Sequence, residues 1–293
     1  MDRDVALKIL SPELAANPVH RDRFLTEARA VARLNHPNII RGYDVGEENG
    51  YFFFAMEYVP GKNLAEQTRG GKTVPWKRVA QFGSQCANAL KHAADRGIIH
   101  RDIKPENLLI AAQTNPKGKI DFIIKVADLG LAWVADQANV EGTRKVYGTP
   151  HYLSPEQAMA EPDIDHRTDI YSLGMTLYRL LTGKRPFAKK APREAMVAHV
   201  TVTVPSPLDI VPKIPDALCR ILENMTAKDR EIRYPIWEMV IDDFIALTVG
   251  MELHAEGIPD GQATIAPPKG VARPEAYPGM YDDGDGEVGE TPT

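Results

Sequence analysis

His100-Arg101-Asp102-Ile103-Lys104-Pro105-Glu106-Asn107 is the stretch whose reading decides the fold. It follows a helical pattern and precedes the apolar run Leu108-Leu109-Ile110, so it reads as a loop leading into a strand. This short loop collects Arg101, Asp102, Lys104 and Asn107. They include a base, a cation and a neutral oxygen donor. Such a set suits transfer of a phosphoryl group to a hydroxyl. The carboxylate accepts the proton, the ammonium offsets charge on the moving group, and the amide oxygen holds Mg2+.

Working outward, residues 79–97 read as a helix with Val79, Phe82, Cys86 and Leu90 on one face, stopped by Gly97. Beyond the loop, residues 108–110 and 120–126 read as a hairpin, followed by Asp128-Leu129-Gly130. Upstream, Asp4-Val5-Ala6-Leu7-Lys8-Ile9-Leu10 reads as a strand. Residues 19–35 then carry Phe24, Ala28 and Val31 at helical spacing, with Glu27 among them, until Pro37 ends the helix. Two strands, 43–45 and 51–56, flank the turn Glu47-Glu48-Asn49-Gly50. Residues 169–182, 193–200, 215–226 and 235–248 supply the later helices.

Composition sets the outer limits. The 293 residues are 43% hydrophobic and 26% charged, which is ordinary for a globular protein with a sizeable core. A net charge of -5 argues against a nucleic-acid surface. Two cysteines far apart, Cys86 and Cys219, give no disulfide framework and fit a reducing compartment. No apolar run is long enough to span a bilayer, and no signal peptide opens the chain, so a cytoplasmic location is expected.

Taken in order, these motifs resemble the protein kinase family in its bacterial, eukaryotic-like serine/threonine form. The resemblance covers roughly residues 4 to 248 and implies a two-lobed α+β fold. Residues 1–59 would form an incomplete β-rich small lobe, and residues 60–250 a larger, mainly helical lobe. Residues 251–293, dominated by Pro, Gly and acidic residues, are expected to form a disordered tail. The implied reaction passes the γ-phosphate of ATP, with Mg2+, to Ser or Thr hydroxyls of a protein.

The resemblance also assigns roles. Lys8 would hold the ATP phosphates and pair with Glu27. Ala6, Met56 and Leu109 would line the adenine pocket, with the backbone of Glu57 and Val59 as the hinge. Asp102 would be the base and Lys104 its cationic partner, with Asn107 and Asp128 as the Mg2+ ligands. Thr149, in Gly148-Thr149-Pro150-His151-Tyr152-Leu153-Ser154-Pro155-Glu156, would bond Asp102 and Lys104 and so form the floor for a substrate hydroxyl. Glu156 would form a buried pair with Arg233, and Asp169 would hold the backbone of the catalytic loop. Thr143 would be an activating phosphosite that recruits Arg101. His100, in this reading, packs in the core.

One family feature is missing from its usual place. Only seven residues precede Lys8 and none is Gly, so the Gly-rich hairpin over the phosphates has no counterpart there. The literal Gly284-x-Gly286-x-x-Gly289 lies in an acidic run and reads as chance. The Lys8 strand is therefore expected at a sheet edge, with nucleotide binding weakened. A binding or scaffolding module, or a fragment of a longer kinase, is the alternative function. A small-molecule phosphotransferase fits less well, because residues 148–156 build a platform for a peptide hydroxyl.

Overall fold

The computed structural model describes residues 3–114, 118, 120–129 and 149–273. The small lobe is a three-stranded antiparallel sheet, with β1 (Val5–Ile9), β2 (Gly42–Glu48) and β3 (Tyr51–Glu57) in the order β1-β3-β2. Ala6 lies opposite Met56, and Lys8 opposite Phe54. Asn49 and Gly50, both at positive φ, make the tight turn between β2 and β3. Among the described residues β1 pairs only with β3, so it is the sheet edge that the sequence led us to expect.

Two helices lie between β1 and β2: α1 (Pro12–Ala15) and α2 (Pro18–Ala32). Asn17 caps α2, its side chain accepting the Val19 N–H, and Pro18 fits the first turn, where no N–H is needed. Its buried stripe of His20, Phe24, Ala28 and Val31 faces the sheet and core. The helix stops three residues short of the expected position 35.

The large lobe opens with α3 (Leu64–Gln67) and α4 (Trp76–Ala94). α4 starts earlier than the expected residue 79, because Pro75 ends the preceding extended backbone. After the loop of residues 100–107 come β4 (Leu108–Thr114) and β5 (Ile120–Val126), a separate two-stranded sheet. Beyond a gap in the described residues follow α5 (Pro155–Ala158), α6 (Arg167–Thr182), α7 (Pro192–Thr201), α8 (Pro207–Ile210), α9 (Asp216–Met225) and α10 (Trp237–Val249). α6 is buried along nearly its whole length and ends at Gly183, whose left-handed conformation a side chain would strain.

The tail needs a correction. Disorder was expected from residue 251, yet residues 251–273 pack onto the large lobe. Val204 donates to Thr264 O and Ala266 donates back to Val204 O; on the other side Thr264 donates to Thr226 O and Lys228 to Gln262 O. Ala255, Ile258, Ala263, Thr264 and Ile265 are buried. A few apolar side chains and a two-sided backbone ladder suffice where composition argued against burial. Residues 274–293, including Gly284, Gly286 and Gly289, lie outside the described residues.

Candidate active site

The loop between α4 and β4 is held from beneath by Asp169, in the first turn of α6. Its carboxylate accepts the backbone N–H of His100 at 2.7 Å and of Arg101 at 2.8 Å. Burial raises the Asp169 carboxyl, while His100 and those two N–H groups oppose the rise. Arg101 sits at φ 66°, a left-handed conformation that this clamp stabilises. His100 is fully buried, its Nε2 2.8 Å from Ala127 O, which ties the loop to the strand end carrying Asp128. The core role expected for His100 is what the structure shows.

Above this base the polar groups converge. Lys104 Nζ lies 2.6 Å from Asp102 Oδ2 and 2.7 Å from Thr149 Oγ1. Thr149 donates to Asp102 Oδ1 from its N–H at 3.0 Å and from its hydroxyl at 2.8 Å. Asn107 Nδ2 donates to the carbonyl of Asp102 at 2.9 Å, and Ala127 N–H donates to Asn107 O at 2.9 Å. With its nitrogen so engaged, Asn107 keeps Oδ1 as the atom able to serve a cation. Asp128, also at positive φ, accepts Lys8 Nζ at 2.8 Å across the cleft from β1.

Lys8 and Glu27 are not paired. Glu27 Oε2 is buried without a hydrogen-bond partner, and burial lifts the carboxyl to about 7 against the pull of Arg101, Arg23 and Lys8. The charge that satisfies Lys8 is Asp128, which stands closer than the helix carboxylate. Glu27 instead borders a cavity of about 300 Å³ between α2 and the segment leading to the catalytic loop, lined also by Ala30, Ile99 and Arg101.

The remaining expected residues fall around this cleft. Ala6 and Met56 are cross-strand neighbours, and Leu109 forms a bridge with Asn63, shortly after β3. Val59 is half-buried, and Glu57 uses its side chain to accept Arg41 N–H at 3.1 Å and to pair with Lys125 at 2.9 Å. Arg233 grips Glu156 with two bonds of 2.6 and 2.7 Å. Burial alone would raise the Glu156 carboxyl, but Arg233 brings it below its ordinary value. Thr143 and Gly130 lie outside the described residues.

Four contributors went unnoticed in the sequence. Gln157 Nε2 donates to Arg101 O at 2.9 Å, anchoring the catalytic loop to α5; its capping box with Ser154 was a visible signal. Lys125 links β5 to Glu57 and thus one lobe to the other. Asn38 and Gln85 satisfy the carbonyl and N–H of Ile124, seating β5.

Comparison with known proteins accords with this geometry. The chain belongs to the protein kinase family: the family model described as protein kinase domain matches residues 1–245. Serine/threonine-protein kinase PrkC of Bacillus subtilis is 37% identical over 234 residues, which are 80% of this chain and 35% of PrkC. Serine/threonine-protein kinase PknB of Mycobacterium leprae is 37% identical over 260 residues, 87% of this chain and 40% of PknB. The chain thus spans about a third of the length of the curated relatives it matches. The crystal structure of the Mycobacterium tuberculosis PknI kinase domain superposes with a TM-score of 0.64 at 28% identity, covering 84% of this chain and 86% of that one. Both lobes of the fold are those of the family. Among the described residues, no helix is long and apolar enough to cross a membrane.

Proposed function

We propose that this chain transfers the γ-phosphate of ATP to Ser or Thr hydroxyls of proteins. The observation that carries the reading is the joint engagement of Asp102 by Lys104 and Thr149, with bonds between 2.6 and 3.0 Å. That arrangement presents a carboxylate base beside a cation, on a floor that a peptide hydroxyl can approach. A scaffold without chemistry has no use for it, and a peptide platform ending in the Glu156–Arg233 anchor favours protein over small-molecule substrates.

Asn107 and Asp128 fit Mg2+, since a carboxamide and a carboxylate are the hard oxygen donors it prefers. Bound Mg2+ would neutralise phosphate charge. Lys8 is placed to hold phosphate oxygens once Asp128 turns to the cation, and Ala6, Met56 and Leu109 to enclose the adenine. Arg101 would meet a phosphate on Thr143. Free, buried Cys86 and Cys219 fit a reducing, cytoplasmic setting.

Asp102→Asn tests the reading. Phosphorylation of a generic basic protein substrate should fall at least about a hundredfold, with the melting temperature little changed. Retained activity in that variant would overturn the assignment.

A further inference from the structure

Residues 255–273 lie beyond the family match at 1–245, yet they reach the underside of the peptide platform. The segment threads between the chain after α7 and the chain after α9, bonded to Val204 on one side and Thr226 on the other. Its far end is pinned by Arg273, which grips the fully buried Glu223 with two bonds of 2.9 and 3.0 Å and Asp216 with one of 2.9 Å. Burial raises the Glu223 carboxyl and Arg273 opposes the rise, so the strap supplies the charge that this carboxylate lacks.

At the centre of the strap Thr264 is fully buried, and its Oγ1 lies 2.7 Å from Tyr171 OH. The same Tyr171 hydroxyl lies 2.7 Å from Nδ1 of His199, itself fully buried. The His199 ring lies against the backbone of Pro150 and His151, and its Nε2 is buried with no hydrogen-bond partner among the described residues. Proline has no N–H, so the Pro150 group it faces is the carbonyl. Those residues adjoin Thr149, whose N–H and hydroxyl rest on Asp102. Tyr171 also lies beneath Arg233, 5.0 Å from its ring centroid, so the relay touches the Glu156 anchor too.

We propose that Thr264 is a positioning residue for the peptide platform, acting through Tyr171 and His199 from a strap beyond the residues that the family model matches. The Thr264 hydroxyl faces two acceptors, the Tyr171 oxygen at 2.7 Å and His199 O at 3.4 Å; donation to the nearer one leaves the phenol proton for Nδ1 of His199. That fixes the tautomer with its proton on Nε2, turned toward the Pro150 carbonyl. Burial keeps the imidazole neutral, its pKa pushed down to about 3, so the relay holds one proton arrangement across the working pH range. Loss of the Thr264 hydroxyl frees the phenol to turn and the imidazole to change tautomer, and the platform loses its support. The inference rests on reading residues 149–156 as the site of peptide binding.

Full-length Thr264→Val and Tyr171→Phe chains, with Thr264→Ser as the conservative control, test it by hydrogen–deuterium exchange. The N–H groups of Thr149 and Tyr152 should exchange about fivefold faster in the first two, as for loss of one buried hydrogen bond, and at the parent rate in the serine variant. Exchange in β2 and β3 should not change. In the kinase assay the peptide KM should rise about threefold with the ATP KM unmoved. No acceleration at 149–152, or acceleration spread evenly along the chain, overturns the proposal. A parent chain that phosphorylates no peptide would refute the kinase reading alone, and the exchange data would still decide the relay.

Discussion

Lys8 reaches Asp128 at 2.8 Å and not Glu27, a half-buried carboxylate whose Oε2 is buried and lacks a hydrogen-bond partner among the described residues. The strand lysine thus ties β1 to the end of β5 across the cleft, and the helix carboxylate borders the neighbouring cavity.

Glu27 should make stability fall as pH rises. Its folded pKa of about 7 exceeds the ordinary carboxylate value, so between roughly pH 4.5 and 7 the folded chain keeps a proton that the unfolded chain has released. The stabilisation is complete below that window and lost through it. Allowing for partial exposure, it amounts to about 1 kcal/mol, or roughly 2–4 °C. Glu27→Gln should melt higher than the parent at pH 8 and abolish the slope; an unchanged slope in thermal scans from pH 5 to 8 would count against the buried, unpaired carboxylate.

Arg233 and Glu156 should be far more tolerant of joint than of single replacement. Arg233 is wholly buried and Glu156 nearly so. Removing either alone strands a charge at a cost of about 3–5 kcal/mol, whereas Glu156→Leu with Arg233→Met removes both. Urea denaturation of the three variants should place the double one nearest the parent.

Asp169→Asn should loosen the catalytic loop without unfolding the chain. An amide has one acceptor oxygen, while the His100 and Arg101 N–H groups now use two. Losing one charge-assisted bond of this kind is worth about 1.5–3 kcal/mol, so turnover should drop roughly ten- to a hundredfold. Mg·ATP affinity by calorimetry should change much less.

Gly183→Ala should destabilise by about 2–4 kcal/mol. Gly183 ends α6 at φ 69°, and a Cβ there would meet Gly71 O at 2.3 Å. Neither backbone has a flexible side chain to yield. A melting temperature within 2 °C of the parent, against an expected fall of roughly 5–15 °C, would refute this.

How far the sequence could be read depended on how local the chemistry is. Asp102, Lys104 and Asn107 fall within one loop, and Thr149, Glu156 and Asp169 within motifs of fixed order, so their meeting was legible. The α2 and α4 stripes were legible too, although α2 stopped three residues before Pro37 demanded and α4 started three residues early, where Pro75 rather than apolar spacing set the boundary. The partner of Lys8 was not legible. Choosing between Glu27 and Asp128 depends on a few ångströms in how α2 sits against the sheet, which no pattern encodes. The strap was missed because its hold comes from backbone ladders to Val204 and Thr226, and from Arg273, none of which leaves a periodic trace. Pro and Gly there signalled disorder only because composition cannot register a partner strand.

The unpartnered flank of β1 has a consequence for how the protein behaves in bulk. Val5, Leu7 and Ile9 project from one face, 42, 58 and 53% exposed, beside a row of backbone groups that no other strand among the described residues pairs with. Two molecules in a concentrated solution can zip together there, so turbidity and scattered light should climb with protein concentration. A single Leu7→Lys change should suppress that crowding, because Ala6 and Lys8 face the opposite way and the cleft would not feel it.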